Sequence, residues 1–300
     1  MRVAITGASG LIGATLVGSL RRDGHEVTRL VRHPPKGADE VRWDPKASDG
    51  KIDPGTFDGV DAVVHLSGAP IAGGLWTQSR KQELRDSRIQ STRAMVTALG
   101  KAAKPPPVLL CGSAVGWYGD TGSREVDESA PAGTGFLTDL VRDWEAASRT
   151  GPPGLRVVNL RSGVVLSRRG GMLGPLAPLF RFGLGARLGS GHQFISWIAL
   201  TDHVAAVRYL IERDAIEGPV NLTAPTPVTN AQFTAELARA LRRPALLRVP
   251  APVLRLSLGE LSGELLGSQR VVPKRLQDAG FSFRYPGIAA ALTAELVAQN

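Results

Sequence analysis

Between a short apolar run and an amphipathic stretch the chain reads Thr6-Gly7-Ala8-Ser9-Gly10-Leu11-Ile12-Gly13, with glycines in the G-x-x-G-x-x-G spacing. Glycine lets a backbone turn sharply and approach a pyrophosphate, and a helix starting behind the turn offers it unpaired N–H groups and a partial positive charge. The strand-turn-helix context separates this reading from a tight turn without a ligand. In such an arrangement an acidic residue closing the second strand takes the adenosine ribose of NAD. Here that strand ends Arg29-Leu30-Val31-Arg32-His33, without a carboxylate. A guanidinium there pairs with a 2′-phosphate through two parallel N–H bonds, so Arg32 suggests NADP(H), against the plainer reading of a solvated surface arginine.

Other groups are weighed the same way. His192 and Gln193 follow Gly189-Ser190-Gly191, with Trp197 just beyond. A glycine-flanked loop is where specificity residues usually lie, which places these three on the substrate side, with a plain loop histidine as the alternative for His192. His65 falls inside an apolar strand pattern and reads as a packed core histidine. Cys111 ends another and reads as an inert buried thiol. A G-x-S-x-G elbow, a G-x-x-x-x-G-K-[ST] phosphate loop and an H-E-x-x-H pair are all lacking. The five histidines have no metal-ligand spacing, and one cysteine allows neither an intrachain disulfide nor a cysteine-based zinc site. No metal is expected.

The 300 residues, 43% of them hydrophobic, suffice for one large domain or two modest ones around a buried core. The 36 Lys and Arg against 27 Asp and Glu give +9. That charge is scattered in pairs such as Arg21-Arg22, Arg168-Arg169 and Arg242-Arg243, without a basic stripe interleaved with aromatics. A small anionic ligand is favoured over nucleic acid. Met1 is followed directly by a strand pattern, and no run approaches the roughly 18 apolar residues of a membrane span. The expectation is a cytoplasmic protein, monomer or homodimer, with a small-molecule substrate and no membrane partner.

The elements that must position these groups alternate. Strand patterns occur at Val3 to Thr6, Glu26 to Val31, Ala62 to Leu66, Val108 to Cys111 and Arg156 to Leu160, with Val41 to Trp43 a weaker one. Helical periodicity covers Leu11 to Arg22, Ser79 to Ala102 and Phe136 to Arg149. After Gly163 the texture shifts to Gly, Pro and Leu. A strand is expected over Phe194 to Ile198, a helix from Asp202 to Arg213, a strand at Val220 to Leu222 and a helix over Asn230 to Leu241 with Asn230 as N-cap. Apolar residues at Leu254, Leu258, Leu261 and Leu265, then Ala289 to Val297, close the chain. This predicts an α/β fold: a doubly wound parallel sheet of six or seven strands, its cleft at the strands' C-terminal ends, with a smaller C-terminal substrate-side α/β portion.

Several segments resemble the extended short-chain dehydrogenase/reductase superfamily, close to the NAD-dependent epimerase/dehydratase group. Asp61-Ala62-Val63-Val64-His65-Leu66-Ser67-Gly68 resembles its fourth-strand signature, Ser113 to Gly119 the segment after the fifth strand, Arg161 to Leu166 that after the sixth, and Trp197 to Ala205 a later V-x-D-V-A stretch. Trp76, Ser87-Arg88, Asp143-Trp144-Glu145-Ala146-Ala147, Gly189 to Gln193 and Gln269 to Arg275 ahead of Gly280-Phe281 resemble one atypical subgroup of epimerase family proteins. Its closing segment, about residues 248 to 296, is a domain of unknown function. The resemblance implies an NADP-binding Rossmann domain over 1–165, with contributions from about 198–222, and a substrate-side portion over 166–300. It implies NADP(H) contacts on Gly7, Gly10, Leu11, Ile12, Gly13, Arg32, Leu66, Ser67, Glu83, Arg88 and Val165. For Arg88 there is also a physical rationale, since a cation on a helix behind the fourth strand could reach the diphosphate, against the plainer reading of a surface arginine.

The superfamily's chemistry rests on a Tyr-x-x-x-Lys pair, whose lysine lowers the phenol's pKa while the phenol moves a proton beside the nicotinamide. Four residues after Tyr118, Tyr209 and Tyr285 stand Gly122, Arg213 and Ala289. Phe136 and Leu140 occupy the corresponding helix, and neither titrates. Ser113 keeps the superfamily's serine position, against the plainer reading of a strand-end cap, and Tyr118 is the candidate replacement donor, against that of a tyrosine packed on its loop; these two are the catalytic candidates. Three readings stay open: an NADP(H)-dependent oxidoreductase or epimerase on a small carbonyl or nucleotide-sugar-like compound with a substitute acid or base, an NADP(H)-responsive binding or regulatory protein without turnover, and an enzyme that keeps and recycles its cofactor.

Overall fold

A computed structural model describes residues 1–71 and 74–296. The chain forms two compact units, both discontinuous in sequence: Met1–Ser113 with Asp139–Leu160 and Val207–Val220, and Ala114–Thr138 with Arg161–Ala206 and Asn221–Asn300.

The first unit is built on β1 (Arg2–Thr6), α1 (Leu11–Arg22), β2 (Glu26–Val31), β3 (Glu40–Arg42), β4 (Ala62–His65), α2 (Gln78–Lys101), β5 (Val108–Ala114) and α3 (Phe136–Ser148). Strands Arg156–Ser162 and Gly218–Leu222 complete a seven-stranded parallel sheet, in the order Gly218–Leu222, Arg156–Ser162, β5, β4, β1, β2, β3. β4 is buried at every residue and β5 at all but its last. Such near-continuous apolar runs form where helices cover both faces of a parallel sheet. The helices supply that cover. α1 buries Leu16, Val17 and Leu20 at helical spacing, and α3 buries Leu140, Val141, Trp144 and Ala147. Gly112 in β5 makes room for the α3 contact, since a Cβ there would lie 2.9 Å from the Trp144 ring.

Thr6 is in register with Leu30 of β2 on one side and His65 of β4 on the other. The chain winds from β1 through β2 to β3, then crosses back to β4, so the order reverses at the carboxyl ends of β1 and β4. That is where doubly wound sheets bind ligands.

The second unit has short strands around a separate core. Trp197–Ala199 pairs in parallel with Val164–Ser167, which pairs antiparallel with Gly170–Gly171. Phe194–Ile195 pairs with Val228–Thr229, Ala186–Leu188 with Leu247–Val249 and Glu125–Val126 with Arg270–Val271. Trp197, Phe180, Phe233, Leu237 and Leu292 fill the core.

Two details differ from the sequence expectation. The strand expected over Phe194 to Ile198 is broken at Ser196, whose hydroxyl donates to the Gln269 carbonyl at 2.7 Å and accepts from Val271 N at 2.8 Å. The helix expected to be capped by Asn230 begins with it instead. Thr229 is the N-cap, in a capping box with Gln232, while Asn230 Oδ1 accepts from Leu188 N at 2.9 Å. Both side chains suit an N-cap, and the box decides between them. In the closing run, Ile288–Leu296 is helical and Val297 lies outside the described residues.

Candidate functional site

The glycine turn connects β1 to α1. Gly7 has φ +67°, and a Cβ on it would sit 2.8 Å from the Leu66 carbonyl oxygen. A Cβ on Gly13 would sit 2.2 Å from the Gly7 carbonyl, so the first turn of α1 rests directly on the loop. Gly10 is the N-cap and has no side chain to occupy the helix N-terminus. The backbone N–H groups of the first turn, Leu11, Ile12 and Gly13 among them, therefore have no capping side chain, and no acidic residue competes for the positive end of the dipole.

Beside the turn, the ends of β1 and β4 are tied by a buried polar chain. Leu66 N donates to Thr6 Oγ1 (3.1 Å), Thr6 Oγ1 lies 2.9 Å from His65 Nδ1, and His65 Nε2 lies 3.2 Å from Ser91 Oγ. Ser91 donates to the Ser87 carbonyl at 2.8 Å, so its oxygen accepts from His65 Nε2–H and Nδ1 accepts from Thr6. This assigns one neutral tautomer. Burial without a carboxylate pushes the His65 pKa down to about 4, and the ring packs edge-on against Trp43. His65 is the core histidine its strand pattern suggested, and Cys111 is likewise a fully buried thiol whose pKa burial raises to about 12.

Arg32 directly follows β2, one strand over from the turn, and is exposed. The nearby carboxylates are taken by other arginines: Asp39 pairs with Arg21 and Arg29, and Glu40 with Arg29 at 3.0 Å. Among the described residues no carboxylate pairs with Arg32, so its guanidinium is free to meet an anion. Arg88 is the opposite case, being 8% exposed on α2. Its Nη2 donates to the Ala69 carbonyl (2.9 Å) and its Nη1 to Leu84 (3.3 Å), and the guanidinium lies 5.2 Å from the Trp144 ring centre. Burial, then repulsion from Arg80, lowers its pKa to about 10, which leaves it charged at neutral pH. A buried cation met by carbonyls, a serine hydroxyl and a ring, with no carboxylate among the described residues, is one that an adjacent anion would stabilise. Arg88 abuts Gly68, in the same loop as Leu66.

The remaining cofactor candidates are less distinctive. Leu66 and Ser67 are half-buried at the end of β4. Glu83 is exposed and pairs with Arg80 at 2.6 Å. Val165 lies in the second unit, half-buried in register with Ile198.

The two catalytic candidates are both buried and both engaged. Ser113 Oγ donates to Glu145 Oε1 at 2.6 Å, with 5% of the serine and 1% of the glutamate exposed. Tyr118 donates its phenol to Asn221 Oδ1 (2.8 Å) and accepts from Arg161 Nη1 (3.0 Å), while Arg161 stacks 4.0 Å from the Trp117 ring centre. Burial raises the phenol's pKa to about 12, against the lowering effect of Arg161. Sequence reasoning assigned no role to Glu145, Arg161 or Asn221. For Glu145 a signal existed: it stands one residue after Trp144 and four after Val141, a charge among the apolar positions of α3.

On the substrate-side loop, His192 is exposed. Gln193 is buried, donating Nε2 to the carbonyls of Leu188 (3.1 Å) and Leu265 (3.2 Å). Trp197 is fully buried in the second unit's core and donates its indole N–H to the Thr226 carbonyl at 3.0 Å, so it presents no surface to a substrate in this conformation.

Comparison with known proteins agrees with this architecture. Residues 3–222 match the NAD dependent epimerase/dehydratase family, and residues 249–295 match a domain of unknown function. The chain is 48% identical over 292 residues to the epimerase family protein Mb2239 of Mycobacterium bovis, covering 97% of this chain and 96% of that one. It is 36% identical over 302 residues to the human epimerase family protein SDR39U1, covering 99% and 100%. The crystal structure of human SDR39U1 (isoform 2) with NADPH superposes with a TM-score of 0.92 at 34% identity over the whole of both chains. A nucleoside-diphosphate sugar epimerase from Corynebacterium glutamicum gives 0.81 at 35% identity, covering 99% of this chain and 58% of that one. With a Rossmann-type sheet, a glycine turn at its switch point and a family match over most of its length, the chain belongs to the NAD dependent epimerase/dehydratase family.

Proposed function

We propose that the chain binds NADP(H) and acts as an oxidoreductase or epimerase on a small carbonyl or nucleotide-sugar-like compound. The observation that carries this is the pairing of an uncapped helix N-terminus at Gly10 with the carboxylate-free guanidinium of Arg32 one strand away. Both fit a dinucleotide with a 2′-phosphate: the amides behind the turn would hold the diphosphate, and Arg32 the extra phosphate. Arg88 would meet negative charge at the Gly68 loop, with Leu66, Ser67 and Glu83 completing the first unit's contacts. The NADPH in the human relative's structure and the name of the Corynebacterium relative support the cofactor and the substrate class.

When bound, the nicotinamide supplies or accepts the hydride. The chain's own part is proton handling. Tyr118, with its pKa pushed up to about 12, is protonated at neutral pH, so it can give a proton to a developing alkoxide but is a poor base. Ser113 would hydrogen-bond a substrate carbonyl, and must share or release its bond to Glu145 to do so. A second reading, an NADP(H)-responsive binding or regulatory protein without turnover, is favoured by one observation: the Tyr-x-x-x-Lys pair is absent from the sequence and both substitute hydroxyls are already hydrogen-bonded.

The test is a titration of Arg32→Asp with NADPH and NADH. NADPH affinity is expected to fall roughly 10- to 100-fold, with NADH much less affected. Unchanged NADPH binding would sink the assignment. Loss of NADPH absorbance with any member of a carbonyl panel favours the enzyme, and tight binding with silence across the panel favours the sensor.

A further inference from the structure

No described helix is long and apolar enough to cross a membrane, but one corner of the second unit has a surface of another kind. Helix Leu173–Arg181 runs out into Phe182, which is 82% exposed, and the chain then turns at Gly183 with φ +74°. Leu179 and Leu184 are exposed beside it. Residues 242–249 are fastened alongside: Arg243 Nε donates to the Arg181 carbonyl at 3.1 Å, and Leu247–Val249 pairs with Ala186–Leu188. A Cβ on Gly185 would lie 3.0 Å from the Ala245 Cβ, which closes the seam. This neighbouring segment adds Leu247 and Leu246, the latter 89% exposed. Single exposed leucines are ordinary, but a group of large apolar side chains on adjoining segments is not.

The charges around them have one sign. Residues 173–188 and 242–249 contain Arg181, Arg187, Arg242, Arg243 and Arg248 and no Asp or Glu. Arg243 and Arg248 donate only to backbone carbonyls, and among the described residues none of the five pairs with a carboxylate. Arginines of the first unit such as Arg21, Arg85 and Arg208 do have acidic partners.

We propose that this corner docks the protein on an anionic phospholipid surface, with Phe182 and Leu246 entering the acyl boundary and the arginines meeting headgroup phosphates. Side chains that project singly are buried at once by a deformable apolar medium, whereas a protein partner would need a separate pocket for each. Of the apolar residues here, leucine is under-represented among those that carry the energy of protein interfaces. Five cations without carboxylates match a surface of spread negative charge. The proposal is independent of the cofactor reading and departs from the expectation of no membrane partner, which rested on the lack of a spanning run and not on the surface.

The experiment is co-sedimentation of the full chain with vesicles of phosphatidylcholine alone, or mixed with phosphatidylglycerol. Binding is expected to the mixed vesicles only, and to weaken with added salt. Arg242→Glu with Arg243→Glu should lower partitioning by at least about tenfold, since each basic residue near such a surface is worth roughly fivefold. Phe182→Ser with Leu246→Ser should lower it by about tenfold or more. Circular dichroism melts confirm that both variants fold. Sedimentation with neither vesicle, or equally with both, overturns the proposal. So does a concentration-dependent dimer of the full chain that the Phe182 and Leu246 changes dissolve without altering vesicle binding, because the face would then join protein to protein.

Discussion

The turn at Gly7–Gly13 and the hydroxyls of Ser113 and Tyr118 are the two candidate sites of the molecule, and they are built in opposite ways. At the turn the polar groups are backbone amides whose neighbours are glycines, and their bonding capacity is open. At Ser113 and Tyr118 the polar groups are side chains that Glu145, Asn221 and Arg161 have already satisfied. An open donor loses only water when a ligand arrives. A closed network must give up a charge-assisted or buried bond first, which costs about 1–3 kcal/mol. The turn is thus rigid with open backbone donors, whereas the two hydroxyls are closed by their neighbours.

The contrast is broken most severely by filling the turn. Gly13→Val places a side chain where a Cβ would be 2.2 Å from the Gly7 carbonyl, with only backbone to move. It should cost about 3 kcal/mol of stability and abolish measurable NADPH binding, as read by thermal melting and fluorescence titration. Gly18→Ala, in the same helix with nothing within 4 Å, should instead be neutral or stabilising by up to about 1 kcal/mol. Equal effects at the two positions would refute the packing account of the turn.

Acid tests the buried histidines, one of them in the polar chain beside the turn. His65 and His203 are both held neutral, with burial lowering their pKa from 6.5 to about 4. Between those values the unfolded chain binds protons that the folded chain does not. Stability is therefore full above about pH 6.5 and falls as pH drops toward 4, by an amount on the order of 3 kcal/mol or less for each ring. Urea unfolding at neutral pH and near pH 5 measures this, and a flat profile would contradict the neutral Thr6–His65–Ser91 chain.

A single lost hydroxyl sharpens the picture at Tyr118. Tyr118→Phe leaves Asn221 Oδ1 and one Arg161 N–H without the phenol, and should cost about 1–3 kcal/mol in denaturant unfolding whether or not the residue is catalytic. An enzyme role adds something a structural one does not, namely loss of turnover with NADPH affinity retained.

Much of the first unit was legible because its signals are local. The strand pattern at Glu26 to Val31 and the helix at Leu11 to Arg22 appear with the same bounds, and α2 starts one residue earlier than its periodicity suggested because Thr77 accepts from Arg80 N and caps it. The second unit was harder. Its strands are two to four residues long, too short for alternation to register, and several are held by partners remote in sequence, as Phe194–Ile195 is by Val228–Thr229. Trp197 and Gln193 follow a glycine-flanked loop, which points to a surface, yet the structure buries both.

Alone, the sequence determined the glycine turn, the runs that become sheet and the missing Tyr-x-x-x-Lys pair, because each follows from residue type and spacing along the chain. Tertiary structure decided which polar groups meet. Ser113 finds Glu145 32 residues away and Tyr118 finds Asn221 103 residues away. It likewise gathered the apolar residues of 179–184 and 246–247 into one cationic corner. Hydrogen-bond satisfaction and exposure are properties of the packed chain, set by which segments the buried core brings side by side, and no local spacing encodes them.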